Sequence, residues 1–187
     1  MIQLIISALY FILPVYIANM VLVYLYFKYL KNITTGPLGW PLDFGIRVGK
    51  NKRPLIGPHK RFEGLVTTSL VAIVVVAIQR WLHPYLLDIS LIDYQSVNLY
   101  LLGSSLGLGS ALGDAAKSLI KRLLNFPPHS AFPLLDQIDH PLGALAVSAY
   151  WFWPGWDIAL TILIMTVPLV LLVNFISYKL RIKDVWW

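Results

Sequence analysis

The feature that most restricts this chain is where its charges are missing. Removing every Asp, Glu, Lys and Arg leaves five long gaps, Met1 to Phe27, Gly64 to Gln79, Tyr94 to Gly113, His140 to Trp156 and Ile158 to Tyr178. A membrane span needs roughly 17 to 25 apolar residues, so the gaps predict an all-α, polytopic integral membrane protein with five transmembrane helices in a single domain over residues 1–187. The first, third and fifth gaps suffice unaided. The second reaches full length if Arg80 snorkels beside Trp81 and His83, and the fourth if it starts inside the preceding loop. With 58% hydrophobic residues, 13% charged and a mean hydropathy of +0.69, the composition excludes both a disordered tail and an ordinary soluble domain.

Five spans force the connecting loops to alternate sides, and basic residues should collect on the cytoplasmic side. Lys28, Lys31, Arg47, Lys50, Lys52, Arg53, Lys60 and Arg61 lie in the first loop, Lys117, Lys121 and Arg122 in the third, and Lys179, Arg181 and Lys183 in the tail. Only Arg80 of the 15 basic residues falls on the other face. This predicts an outer N-terminus, a cytoplasmic C-terminus and cytoplasmic loops over about 31–63 and 123–137. The net charge of +6 then reflects topology and anionic headgroups rather than nucleic acid. The first gap has no positive segment before it and is too long for a signal peptide, which predicts a retained helix. Pro14 and Pro168 are candidate kinks in the first and last spans.

The third span contains Gly103, Gly107, Gly109 and Gly113, two small-xxx-small pairs that predict a central helix closely approached by its neighbours. Continuing it past Gly113 adds Asp114, Lys117, Ser118, Lys121 and Arg122, and at about 100° per residue the first four share one stripe. From Val97 to Leu124 such a helix is roughly 42 Å long, so its charged end emerges at the inner headgroups. Asp114 with Lys117 also reads as a helix-surface pair with snorkelling lysines. A proline-bearing loop then leads to Asp136 and Asp139, whose three-residue spacing puts both carboxylates on one helix side. The alternative for Asp139 is a helix N-cap before His140-Pro141.

With zero Cys, thiol nucleophiles, iron–sulfur clusters and Cys-ligated zinc are excluded. His59, His83, His129 and His140 show no HxxxH or HExxH spacing, which disfavours a zinc hydrolase. Carboxylates suit a hard cation such as Mg²⁺, and adjacent cations suit phosphate, so phosphoryl or nucleotidyl transfer follows. The first loop, Lys31 to Glu63, is rich in Gly, Pro and Asn and basic, able to wrap phosphates or to sit on anionic lipid. It is not a Walker A loop, since Gly45 to Lys50-Asn51 is one residue short and no Ser or Thr follows the lysine.

Gly113-Asp114-Ala115-Ala116-Lys117-Ser118-Leu119-Ile120-Lys121-Arg122 followed by Asp136-Gln137-Ile138-Asp139 resembles the CDP-archaeol synthases, archaeal membrane enzymes related to phosphatidate cytidylyltransferases. Larger relatives carry Ser-x-x-Lys-Arg and Asp-Arg-x-Asp elements. Ser118, Lys121 and Arg122 match the first, while Asp136 and Asp139 match the second with Gln137 replacing Arg, as in the archaeal branch. The likeness extends through 41–45 and 57–64, departing at Lys50-Asn51, where the family often has Asp-Gly, and at Arg61, where it has Thr. It implies transfer of CMP from CTP to an unsaturated isoprenoid diether glycerol phosphate, releasing pyrophosphate. It also implies Mg²⁺ on Asp114, Asp136 and Asp139, with Lys117, Lys121 and Arg122 holding phosphates, Ser118 donating a hydrogen bond, and Lys52, Arg53 and Lys60 closing over the nucleotide. The implied partners are CTP, the diether lipid phosphate and membrane lipids, with no nucleic acid; a homo-oligomer stays open. The rival readings are a CDP-alcohol phosphotransferase, whose Asp-x-x-x-Asp end is missing, and a small anion channel lined by the glycine-rich helix.

Overall fold

The computed structural model describes residues 1–25, 36–48, 53–57, 60–126, 130, 132–179 and 181. These form five helices: α1 (Ile2–Leu25), α2 (Phe62–Leu82), α3 (Leu99–Leu123), α4 (Leu135–Ser148) and α5 (Trp156–Lys179). Each of the five uncharged gaps therefore contains a helix. By length and composition α1, α2 and α5 qualify to cross a membrane. The 25 residues of α3 extend about 37 Å, but its inner end is charged. The 14 residues of α4 extend about 21 Å, short of a hydrocarbon core of about 30 Å. The gap at 140–156 misplaces α4 because acids do not interrupt a helix: it starts ahead of Asp136 and ends at Ser148, before the aromatic connection through Tyr150, Trp151 and Trp153.

Helix α3 is the central element, packed most extensively on α4 and α2. Its two glycine pairs serve different neighbours. A Cβ on Gly103 would lie 2.5 Å from the Ile73 Cα, and one on Gly107 2.6 Å from the Ser69 Cα, so the outer pair admits the α2 backbone. A Cβ on Gly109 would lie 2.5 Å from the Gly143 carbonyl oxygen, and one on Gly113 3.0 Å from the Gly143 Cα, so the inner pair admits α4. The glycine face is thus filled by protein backbone, which removes the basis for reading it as the wall of an ion path.

The apolar core joins Phe11, Ile12 and Val15 of α1, Val76 of α2, Leu102 and Leu106 of α3, Leu145 of α4 and Ile162 of α5. Pro14 lies inside α1 and has no N–H to offer the Tyr10 carbonyl one turn back. Gln79 of α2 supplies the missing donor, its Nε2 lying 2.5 Å from that oxygen. Across the bundle, Tyr16 and Thr166 share a hydroxyl hydrogen bond of 2.6 Å that ties α1 to α5.

One departure from an all-α chain is a small antiparallel hairpin before α2, β1 (Arg47–Val48) with β2 (Arg53–Pro54), pairing Arg47 with Pro54 and Val48 with Arg53. Buried Asp43 holds its base: Oδ1 accepts from the Gly45 N–H at 3.0 Å, and Oδ2 from the Ile56 and Gly57 N–H groups at 2.9 and 3.2 Å. Burial pushes this carboxyl up, but the three backbone donors outweigh it and hold it below the usual carboxylate range. Gly57 takes φ +130°, a conformation that side chains rarely adopt. Leu42 N–H to Lys60 O (2.8 Å) and Phe62 N–H to Trp40 O (3.2 Å) dock the segment on the start of α2, which fixes Lys60.

Candidate active site

The close approach at Gly113 decides where the acids meet. Because residue 113 has no side chain, the backbone of α4 around Asp139 and Gly143 lies directly against α3, one residue before Asp114. Helix α4 starts at Leu135, so Asp136 lies in its first turn and Asp139 in its interior. The N-cap alternative for Asp139 therefore fails, and its carboxylate is buried at 2% exposure. Leu134, just before the helix, has φ +69°, a strained value for a branched side chain. There the chain turns so that the Phe132 N–H donates to Asp136 Oδ2 at 2.6 Å.

The three predicted carboxylates converge on one ammonium. Lys117 Nζ lies 3.2 Å from Asp114 Oδ1, 3.4 Å from Asp136 Oδ1 and 2.6 Å from Asp139 Oδ2. Lys60 pairs with Asp114 Oδ2 from the α2 side, and Lys121 lies 3.4 Å from Asp136 Oδ1 while donating to the Ser130 carbonyl. Three acids, Asp114 of α3 with Asp136 and Asp139 of α4, thus face Lys117 and Lys121 of α3 and Lys60 just before α2. The helix-surface alternative for Asp114 and Lys117 is replaced by a mostly buried, shared network, with their side chains 19% and 16% exposed. Low exposure strengthens such attractions and raises the cost of any charge left alone.

Other predicted residues sit further out. The Ser118 hydroxyl donates to the Asp114 carbonyl within α3 at 2.9 Å, so its proton is committed locally. Arg122 Nη1 reaches the Phe126 carbonyl at 3.4 Å, turned toward the loop. Arg53 contributes its backbone to β2, and Lys52 lies outside the described residues.

His140 is a site residue that motif spacing passes over. Ligand-capable atoms of Asp114, Asp139 and His140 lie within 4.8 Å of one another, on two helices rather than one. Asp139 Oδ2 is buried and is met by the Lys117 ammonium at 2.6 Å. Two hard oxygen donors, an imidazole and a lysine standing where positive charge is favoured fit a divalent cation. Beside them a cavity of about 290 Å³ is lined by Asn19, Leu42, Lys60, Glu63, Asp114 and His140 among others. Its charged wall borders the carboxylates, and Leu22, Val23 and Leu65 form an apolar wall.

The CarS-like CDP-archaeol synthase family profile matches residues 1–187, the whole chain. The chain belongs to the CDP-archaeol synthase family. The CDP-archaeol synthase of Methanocaldococcus jannaschii is 36% identical over 186 residues, covering 99% of this chain and 98% of the relative. That of Methanopyrus kandleri is 32% identical over 190 residues, covering 97% and 92%. A solved structure described as an intramembrane enzyme for archaeal membrane lipids biosynthesis superposes with a TM-score of 0.63 at 27% identity, covering 89% of this chain and 92% of the other. This family member is a membrane cytidylyltransferase that produces CDP-archaeol in archaeal lipid synthesis. The fold and the comparisons thus agree with the resemblance carried by residues 113–122 and 136–139.

Proposed function

We propose that Asp114, Asp136 and Asp139 hold Mg²⁺ at the cytoplasmic end of a five-span bundle and that CMP passes there from CTP to an unsaturated archaeal diether lipid phosphate. The observation that carries this reading is the meeting of all three carboxylates within 3.4 Å of a single Lys117 ammonium. In this reading the N-terminus is outside, the loops over about 31–63 and 123–137 are cytoplasmic, and the active site faces the cytoplasm. When bound, the metal would neutralise the triphosphate and draw charge off the departing pyrophosphate.

The protein's own part is positioning and charge. Lys117 and Lys121 exchange their carboxylate partners for phosphate oxygens, and Lys60, held by the docked segment, reaches the nucleotide from α2. Lys52 and Arg53 of the first loop and Arg122 in the last turn of α3 add positive charge. The lipid phosphate is already an anion and needs no strong base. Its oxygen forms a bond to the α-phosphorus of CTP while the α–β phosphoanhydride bond breaks, and pyrophosphate leaves with that electron pair. Ser118 keeps its hydrogen bond to the helix backbone and shapes the end of α3. The acceptor phosphate sits at the charged wall of the cavity with its isoprenoid tails along the apolar wall, entering sideways between helices.

Purified protein given labelled CTP and a geranylgeranyl diether glycerol phosphate tests this. Pyrophosphate release requires both substrates, stops on chelation and returns with Mg²⁺. Full turnover under chelation contradicts the metal assignment, and CTP turnover without lipid contradicts the acceptor.

A further inference from the structure

His140 separates this centre from one made of carboxylates alone. Its Nδ1 lies 3.3 Å from the backbone carbonyl of Ser110 and 3.2 Å from the Ser110 hydroxyl. The Ser110 carbonyl can only accept, whereas its hydroxyl can accept or donate, so Nδ1 is anchored to Ser110 in either tautomer. Nε2 has no hydrogen-bond partner among the described residues. Ser110 is fully buried and is itself held, its hydroxyl accepting from Asn19 Nδ2 at 3.1 Å and lying 3.3 Å from Asn19 Oδ1. A relay therefore runs from α1 through α3 to the ring on α4, fixing the ring's orientation.

Anchoring one ring nitrogen to an outer partner is how proteins orient a metal-binding imidazole. The target is present. The ligand-capable atoms of His140, Asp114 and Asp139 share a 4.8 Å neighbourhood, while His140 makes no ion pair with either acid among the described residues. Asp139 Oδ2, on a residue only 2% exposed, lies 2.6 Å from the Lys117 ammonium, the positive charge whose place a metal ion would take. Nitrogen ligation favours transition metals over Mg²⁺, which prefers oxygen and retained water.

We propose that His140 Nε2 ligates the same divalent ion as Asp114 and Asp139, held in place by Ser110 and Asn19, and that it shifts the site's preference from Mg²⁺ toward transition divalents such as Mn²⁺. The inference rests on the carboxylate-metal reading above. In consequence, His140 sets metal selectivity, and Ser110 and Asn19 act as positioning residues.

The test is pulsed EPR of Mn²⁺ bound to the purified protein, with and without CTP. Wild type should show ¹⁴N modulation from one imidazole, converted to the ¹⁵N pattern by ¹⁵N-histidine labelling and absent in His140→Gln. His140→Gln should weaken Mn²⁺ binding about tenfold relative to Mg²⁺, and Ser110→Ala should weaken it by about tenfold, the scale of losing an outer partner of a ligand. If Mn²⁺ binds, Asp139→Asn removes it, and wild type shows no nitrogen coupling, this inference falls and the carboxylate reading stands. If wild type holds no Mn²⁺ in either condition, both fall. The wild-type labelling experiment decides the matter even if a variant does not fold.

Discussion

The two ends of the bundle both bury polar groups, but they handle them in opposite ways. At the end where α2 closes and α3 begins, Tyr10, His83 and Tyr94 cluster through edge-on ring contacts at 6.0 and 5.9 Å, with Gln79 donating to the Tyr10 carbonyl. Tyr10 OH, Gln79 Oε1, His83 Nδ1 and Tyr94 OH are all buried without hydrogen-bond partners among the described residues. Each such group costs about 1–3 kcal/mol, which a well-packed bundle tolerates. At the other end the groups are charged, and each carboxylate faces at least one ammonium. A lone charge there would cost far more than a lone hydroxyl. The difference teaches that the first cluster belongs to packing, whereas the second is a set of charges balanced against one another, the arrangement on which the proposed site rests.

Substitutions at the two ends should separate most widely. Asp139→Asn and Asp114→Asn should each lower cytidylyl transfer at least about 10²-fold, the scale of removing one preorganised charge-stabilising group, while the protein still elutes as a single species. Tyr94→Phe should leave kcat/KM within about twofold. Wild-type rates in both Asp variants, or a collapse in Tyr94→Phe, would erase the contrast.

The glycine seams sharpen it further. Gly113→Ala must push Asp139 away from Asp114 and should cost roughly tenfold or more in turnover, because a displacement near 1 Å can cost that much. Gly103→Ala meets Ile73 on α2 at its nearest contacts; it should lower the thermal midpoint, consistent with about 1–3 kcal/mol of overpacking, and leave turnover within about threefold at permissive temperature. Equal activity losses would show that the seams are not specialised.

A smaller effect belongs to Lys60→Ala, which should raise the KM for CTP several-fold and that for the lipid less; initial rates with each substrate varied in turn give the ratio, and the reverse ratio would move Lys60 to the acceptor side. The smallest concerns Asp43. Its folded-state carboxyl is depressed, so its contribution is complete above the unfolded value of about 4 and fades as pH falls through the folded one. Hydrogen exchange in residues 53–57 should therefore rise below about pH 4, and Asp43→Asn should raise it at neutral pH.

How much of this was legible in the sequence follows from what periodicity and charge can report. Each uncharged gap overlaps one of the five helices, because a helix buried in an apolar layer demands a long apolar run, but the fourth gap misplaces its helix. Gly103 through Gly113 announced close packing, and one stripe and one spacing pick out Asp114, Lys117, Asp136 and Asp139, whose side chains the fold brings together. The start of α4 was not legible, since Asp136 and Asp139 are charged yet lie inside the helix, stabilised by lysines that are distant in sequence. The hairpin was hidden because buried Asp43 organises it through backbone donors rather than a hydrophobic pattern. His140 was missed because metal motifs describe ligands from one helix, whereas its neighbours come from two. Asn19 and Ser110, polar residues within apolar runs, were the available signal for it.

The central claim is that carboxylates from α3 and α4 grip one divalent ion together. Anomalous diffraction at the manganese edge, from crystals grown with Mn²⁺ and CTP, tests it most directly. The account predicts a peak between Asp114 and Asp139 at bonding distance, about 2.1 Å from their oxygens as for other small divalent ions, with Lys117 turned toward phosphate. Bound CTP with Lys117 still seated among the three acids and no peak beside them would contradict it.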